Sequence, residues 1–120
     1  MAQIARKAAD LIEENGLTCA ELKDRDTGAF CILGAIMEAA EVPYQYGDYE
    51  WYGMTEREPN HQASRVVEQL ALRLGAEPKL AGRRHERVVY SWSDRHVDDV
   101  DEALHLLRSS AVDFEANAFV

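Results

Sequence analysis

The sequence predicts a mainly α-helical fold, a compact bundle of about four helices around a central apolar helix at residues 29–40, with room for a short β-hairpin. Three observations support this. Apolar residues recur at helical spacing in several stretches. One stretch is apolar almost all round, as in a helix enclosed by others. The chain has 120 residues, 47% of them hydrophobic, so a single domain at 1–120 can bury a core without metals or disulfides.

The first helix is predicted from the N-terminus to residue 15. One face carries an apolar stripe that ends in an amide: Ile4, Ala8, Leu11, Ile12 and Asn15. Gly16 then supplies a left-handed stop, and Leu17 is expected to fold back on Ile12. Thr18 is expected to cap a short helical turn at residues 20–22.

The central helix is predicted at residues 29–40, with Asp26 or Thr27 as its cap. Glu38 is its one charged residue, so the helix should be buried on all sides. Gly34 costs about 1 kcal/mol relative to alanine inside a helix. We therefore expect a neighbouring helix to approach closely at Gly34 and Ala35.

Residues 41–59 are predicted to form an irregular loop with a short strand. Five aromatic side chains fall within it: Tyr44, Tyr46, Tyr49, Trp51 and Tyr52. A connection of this length is often functional. These aromatic residues either cover the core or form a binding surface, since exposed Tyr and Trp are typical anchors of protein interfaces.

Two further helices are predicted in the second half of the chain. One runs over residues 60–74, with Asn60 as its cap and Gly75 as its stop. Residues 88–90 are expected to be a short strand or an extended lead-in. The last helix follows Trp92, Ser93 and Asp94, and it carries an apolar stripe: Val97, Val100, Leu104 and Leu107.

The net charge is −9, from 22 acidic and 13 basic residues. Phosphate backbones and anionic membrane surfaces repel such a protein, so direct binding to either is disfavoured. An acidic balance often does no more than keep a protein soluble. The acidic run at residues 98–102 nevertheless leaves open an acidic DNA-mimic inhibitor, which would occupy a DNA-binding protein.

The N-terminal residues 1–15 are amphipathic and lack the apolar core of a signal peptide. The chain has no run of about 18 apolar residues, which a membrane-spanning helix needs. We therefore expect a cytoplasmic protein in which Cys19 and Cys31 are reduced thiols.

Three stretches form a recognisable pattern: AADLIEENGL at 8–17, the run at 24–35, and Trp92-Ser93-Asp94 with the helical stretch after it. They resemble a family of small uncharacterised proteins from actinobacteria and their bacteriophages. Members show a D-x-x-G-x-x-C-[IL]-x-G-A segment and a W-[NS]-D turn. The resemblance covers most of the chain outside 41–59 and 76–90. It implies a bacterial or phage protein of the host cytoplasm, and it implies no activity.

Cys31 is the candidate nucleophile, because a helix N-terminus favours a thiolate. Catalysis also needs a base, and His96 near Asp94 is the best candidate, with His61 second. The surrounding sequence AFCILG matches no cysteine-hydrolase signature. The alternative, bland interpretation makes Cys31 a small buried core residue.

No metal site or cofactor is predicted. Cys19 and Cys31 are twelve residues apart, and the chain has neither a C-x-x-C nor an H-x-x-x-H pair. It also has no glycine-rich phosphate loop and no dinucleotide fingerprint.

The preferred interpretation is a non-enzymatic protein-interaction module of phage or bacterial origin that binds a host protein or a second copy of itself. Its expected contact surface is formed by the five aromatic residues Tyr44, Tyr46, Tyr49, Trp51 and Tyr52, and no catalytic residue is assigned. The alternative is a cysteine-dependent hydrolase or transferase using Cys31, His96 and Asp94. The second alternative is the acidic DNA-mimic inhibitor.

Overall fold

The computed structural model describes residues 1–19, 21–42, 44–45, 48–49, 58–77 and 84–116. Five helices and one strand pair are described: α1 (Ala2–Asn15), α2 (Ile32–Ala39), β1 (Tyr44–Gln45), β2 (Asp48–Tyr49), α3 (Glu58–Arg73), α4 (Arg84–Arg95) and α5 (Val100–Ala116). The prediction of a mainly helical fold is confirmed, with one helix more than expected.

Helix α1 buries a face made largely of small side chains: Ile4, Ala5, Ala8, Ala9 and Ile12. Small residues let its backbone come close to α2 and α5, the two helices it packs against most. Gly16 has a φ of +95°, and its N–H donates to the Ile12 carbonyl at 2.7 Å. The predicted stop at Gly16 is confirmed, because a residue with a Cβ would be strained at this φ.

Ion pairs show that α5 lies antiparallel to α1. Arg6 pairs with Glu115 near one end, and Arg108 pairs with Asp10 and Glu13 further along. All five side chains are largely exposed, so each pair contributes only about 0–1 kcal/mol. Their main effect is to fix how the two helices are aligned.

Helix α2 is shorter than predicted but occupies the predicted central position. It spans Ile32–Ala39, and seven of its eight residues are buried, with Glu38 half-buried. Residues 29–31 are extended because Phe30 pairs through its backbone with Leu17 on one side and Lys23 on the other.

The segment before α2 is a turn and not a helix start. The Asp24 carboxylate accepts the N–H groups of Asp26 at 2.8 Å and Thr27 at 3.3 Å. Gly28, at a φ of +80°, donates its N–H to the Asp24 carbonyl. The prediction that Asp26 or Thr27 caps α2 is therefore wrong, because Cys31 is its cap residue.

The predicted helical turn at 20–22 is also wrong in its described part, since residues 21 and 22 are not helical. Thr18 does not cap a helix there. Its N–H donates to the Phe30 carbonyl at 3.0 Å, so tertiary backbone pairing replaces the local turn.

Helix α3 begins at Glu58, two residues before the predicted start, so Asn60 lies inside the helix and is not its cap. Pro59 falls in the first turn, where backbone N–H groups have no partner within the helix and a proline loses no bond. The buried face of α3 consists of small and aliphatic residues: Ala63, Val66, Val67, Leu70 and Ala71. Gly75 has a φ of +97°, which confirms the predicted stop.

Helix α4 contains the segment 88–90 that was predicted as extended. Val89 is fully buried, while Val88 and Tyr90 are half-buried. This burial favours a helix here, and it cannot be recognised from the sequence of a short β-branched run. The segment 92–94 also lies inside α4, so neither Ser93 nor Asp94 caps the last helix.

Helix α5 starts at Val100, and the Asp99 carboxylate accepts the Glu102 N–H at 3.3 Å as its cap. Within the predicted stripe, Leu107 is fully buried whereas Val97, Val100 and Leu104 are half-buried. The fully buried positions of α5 are small apart from Leu107: Ala103, Ser110 and Ala111.

The strands β1 and β2 pair antiparallel, with Tyr44 opposite Tyr49 and Gln45 opposite Asp48. They lie within residues 41–59, where an irregular loop with a short strand was predicted. Tyr46, Trp51 and Tyr52 lie outside the described residues, as do the side chains of Tyr44 and Tyr49, so their assignment as a contact surface stays a prediction.

Candidate functional site

The N-terminus of α2 is held by side chains from two distant parts of the chain. The first N–H groups of a helix lack partners within the helix. The Ile32 N–H donates to the Ser93 hydroxyl oxygen at 3.1 Å, and the Gly34 N–H donates to the Cys31 sulfur at 3.3 Å. Ser93 and Cys31 are both completely buried. They cap this helix together.

The backbone of Leu22 crosses directly over this cap. Its carbonyl accepts the Cys31 N–H at 3.2 Å. A Cβ on Gly34 would lie 1.9 Å from the same oxygen. The predicted close approach at Gly34 is therefore present, but the approaching group is a loop carbonyl and not a neighbouring helix.

The Cys31 thiol has the opposite of the properties that a nucleophile needs. Its pKa is raised to about 11, mainly by burial and to a smaller extent by the negative charge of Asp94. The N–H groups of Gly34 and Leu33 act in the lowering direction but do not offset burial. A reactive cysteine is normally a partly exposed thiolate at neutral pH, which this environment does not provide.

His96, the proposed base, lies at the C-terminal end of α4. Its Nδ1 is 2.7 Å from the Trp92 carbonyl oxygen, and its ring stacks on the Trp92 indole with centroids 3.8 Å apart. Its backbone N–H donates to the Ser93 carbonyl at 3.1 Å. These contacts give His96 a structural role in ending α4. The side chain of His61, the second candidate base, lies outside the described residues.

Several ionisable groups near the N-terminal end of α2 act on the hydroxyl of Tyr90. Its pKa is raised by burial first, then by the negative charge of Asp94, and then by the Cys31 and Cys19 thiols once they are ionised and by Glu21. The structure therefore places Cys31 and Asp94, two of the three residues predicted for a cysteine enzyme, close enough for their charges to interact. Sequence reasoning missed Tyr90 and the contact of Ser93 with α2, because neither lies near α2 in sequence.

Two surface depressions border α2. One, of about 240 Å³, lies between α2 and α4 and is lined by Leu33, Glu86, Arg87 and Tyr90. The other, of about 440 Å³, lies at the far end of α2 and is lined by Lys7, Leu11, Glu38, Glu41 and Val42. The first is smaller than most small-molecule sites, which span roughly 300–1,000 Å³.

The described part of the chain holds no group of three or more His, Cys, Asp or Glu side chains placed to bind a metal ion. None of its helices is both long enough and apolar enough to cross a membrane.

A thiol-specific reagent should distinguish the two cysteines. Cys19 is exposed and Cys31 is buried, so native protein at neutral pH should take up one label per chain, and unfolded protein two. Mass spectrometry after brief labelling measures this. A Cys19→Ser variant should stay unlabelled until denaturant is added, and rapid labelling of that variant would contradict the assignment of Cys31 to the core.

The model of a family of unknown function, DUF6197, matches residues 1–113. No curated protein and no solved structure matches the chain. From Gly28 to Ala35 the chain follows the D-x-x-G-x-x-C-[IL]-x-G-A pattern. The aspartate of the pattern has no counterpart, because it should stand three residues before Gly28, whereas Asp24 stands four residues before it and Asp26 two.

Proposed function

Since this chain belongs to the DUF6197 family of unknown function, its role has to be inferred from its own residues, and we propose that it is a non-enzymatic protein-interaction module. It acts in the cytoplasm of a bacterial host, encoded by the bacterium or a phage, and it modulates a host protein. It uses no cofactor or metal, and it contacts neither nucleic acid nor membrane directly.

The observation that carries this proposal is the concentration of five Tyr and Trp residues in nine positions, 44–52. We call these the aromatic set: Tyr44, Tyr46, Tyr49, Trp51 and Tyr52. Tyrosine and tryptophan are enriched among the residues that dominate binding energy at protein interfaces. The pairing of Tyr44 with Tyr49 across β1 and β2 supports a common surface, because it brings two members of the set opposite each other.

Two observations weigh against the alternatives. A cysteine enzyme would need a Cys31 thiolate, and burial raises the pKa of that thiol to about 11. A DNA mimic would use the exposed acids at 98–102, but Asp99 caps α5 and Asp101 and Glu102 lie in its first turn, where the helix dipole favours them. Asp99, Asp101 and Glu102 therefore have a role in stabilising the start of α5, which explains most of the acidic residues at 98–102.

The proposal is tested by crosslinking, with a photoreactive residue in place of Tyr46 in the full chain expressed in bacterial cells. A partner captured this way is then purified and titrated with Trp51→Ala and Tyr49→Ala. At least one of them should weaken binding roughly 30-fold or more, the loss typical of an interface anchor. Sedimentation of the wild-type chain shows whether that partner is a second copy.

Val112→Ala is the matched control, because Val112 is an apolar side chain on α5 with 60% exposure. It should leave the dissociation constant within about twofold, as expected of most surface positions. If both aromatic variants bind as tightly as this control, the aromatic set is not the contact surface.

A further inference from the structure

The last residue of α1 and the glycine that ends the helix form an Asn-Gly pair, Asn15-Gly16. In such a pair the backbone nitrogen of the glycine can attack the side-chain carbonyl carbon of the asparagine. Glycine hinders this attack least because it has no Cβ. Asn15 is exposed, so water has access to it. The chain therefore carries the groups needed for spontaneous deamidation, and the fold decides whether they react.

Two hydrogen bonds to the preceding turn of α1 hold both reacting groups. The Gly16 N–H donates to the Ile12 carbonyl at 2.7 Å, and the Asn15 Nδ2 donates to the Leu11 carbonyl at 2.9 Å. The glycine nitrogen has to lose its proton before it can attack, and a bonded amide gives its proton to water only after the bond has opened. The folded end of α1 therefore withholds the nucleophile.

The backbone conformation of Asn15 also opposes the reaction. Closing the succinimide ring requires the Cα–Cβ bond of Asn15 and its C–N bond to Gly16 to lie almost eclipsed. Asn15 is helical, and a helical ψ of about −42° keeps these two bonds well apart. Attack therefore needs a rotation out of the helix, so the end of α1 has to unwind before the reaction can start.

We propose that Asn15 is a self-modification site that reacts only when the C-terminal end of α1 unwinds. Each transient opening of that end then has a chance of becoming a permanent chemical change. The modification goes beyond the proposed binding function and does not depend on it.

The reaction needs water and no other reagent. The deprotonated Gly16 nitrogen attacks the Asn15 Cγ, the Cγ–Nδ2 bond breaks, and the departing amide nitrogen takes up a proton and leaves as ammonia. Water then adds to either ring carbonyl and opens the ring. Opening on one side gives aspartate, and opening on the other gives isoaspartate. In both cases the amide and a water molecule are converted into a carboxylic acid and ammonia.

Isoaspartate would disconnect α1 from the segment that leads into α2. Its main chain runs through the side-chain carbons, which inserts an additional backbone atom before Gly16. The Gly16 N–H is then displaced from the Ile12 carbonyl. The Gly16 carbonyl, which accepts the Phe30 N–H at 3.1 Å, moves with it. Phe30 directly precedes Cys31, the cap residue of α2, so the change reaches the start of the central helix.

Aspartate would keep the backbone but change the charge. It lacks the N–H group that donates to the Leu11 carbonyl, and it adds a negative charge to the last turn of α1, beside Glu13 and Glu14. The helix dipole disfavours a negative charge at that end. Both products therefore weaken the same end of α1.

The test incubates the full chain at neutral pH, either native or unfolded in guanidinium chloride, and follows the tryptic peptide at 8–23 by mass spectrometry. Electron-transfer fragmentation distinguishes isoaspartate from aspartate. We expect the native chain to convert roughly 10- to 100-fold more slowly than the unfolded chain, as for a helix end that opens more readily than the whole fold. Equal rates would overturn the proposal, and so would the absence of native conversion once the unfolded chain has converted completely.

Leu17→Ala and Val88→Ala form a matched pair, because both side chains are half-buried against the core. Leu17 directly follows Gly16, whereas Val88 lies in α4. Relative to the unfolded rate of the same variant, Leu17→Ala should raise the native rate about threefold or more, and Val88→Ala should leave it within about twofold. If both variants accelerate the reaction equally, or if neither does, the reaction does not proceed through local opening of α1.

Asn15→Gln is the control for the chemistry, since its longer side chain closes a ring much more slowly and conversion should disappear in both states. Freshly purified Asn15→Asp supplies the charge without the additional backbone atom. Hydrogen exchange at the Phe30 amide should be roughly tenfold faster in the isoaspartate form than in the wild type or in Asn15→Asp, the effect of losing one buried hydrogen bond. An isoaspartate form that protects this amide as well as the wild type would overturn the effect on the segment before α2.

Discussion

Gly34→Ala should destabilise the protein by about 3 kcal/mol, near the upper end for overpacking a buried site. The added Cβ would lie 1.9 Å from the Leu22 carbonyl oxygen, and the obstacle is backbone that is itself bonded to the Cys31 N–H. Helix propensity alone predicts the opposite sign, because alanine is favoured over glycine by about 1 kcal/mol. Urea unfolding followed by circular dichroism measures the difference.

Gly75→Ala is the matched control for this substitution. Gly75 also ends a helix region, but a Cβ there would meet nothing within 4 Å, and its φ is +97°. The strain of that φ alone should cost roughly 1–2 kcal/mol. A Gly34→Ala variant as stable as the wild type would mean that the Leu22 segment does not cross α2 as described.

Ser93→Ala should destabilise the protein by about 2 kcal/mol, because it leaves the buried Ile32 N–H without an acceptor. Ser110→Ala should have the opposite effect. Ser110 is equally buried, but its hydroxyl has no hydrogen-bond partner in the described part of the structure, so removing it should stabilise the fold by about 1 kcal/mol.

These two variants make the same chemical change at two fully buried positions, so they form a matched pair. Thermal unfolding at fixed pH compares them directly. If both lower the midpoint by the same amount, the loss comes from packing alone, and the cap that Ser93 supplies to α2 does not contribute.

The sequence was sufficient to predict where a helix ends when that end depends on a residue in the same segment. The ends of α1 and α3 are confirmed because Gly16 and Gly75 adopt positive φ values that other residues avoid. The central position of α2 is confirmed because a helix with one charged residue has to be enclosed.

Prediction failed where a cap comes from elsewhere in the chain. Local rules favoured Asp26 or Thr27 as the cap of α2, but those residues form a turn around Asp24, and Ser93 reaches α2 from 61 residues away. The prediction of an extended segment at 88–90 failed for a related reason. Its β-branched residues suit a strand unless one of them is buried on a helix face.

For the candidate site, too, the sequence predicted some features and the folded structure decided others. The sequence pointed to Cys31 and to Asp94, and the structure brings these residues into electrostatic contact. Sequence could not assign the chemistry of the thiol. The start of a helix favours a thiolate, whereas enclosure by surrounding side chains disfavours it, and only the folded structure decides which effect dominates.

The sequence by itself determined the helical class, the two glycine stops and the identity of the central helix, because these depend on local backbone preferences and on hydrophobic period. The tertiary structure alone decided that Cys31 is a buried cap with a pKa near 11, that Gly34 accommodates the Leu22 carbonyl, and that Ser93 closes the end of α2. Each of these depends on groups distant in sequence that meet only after the chain has packed.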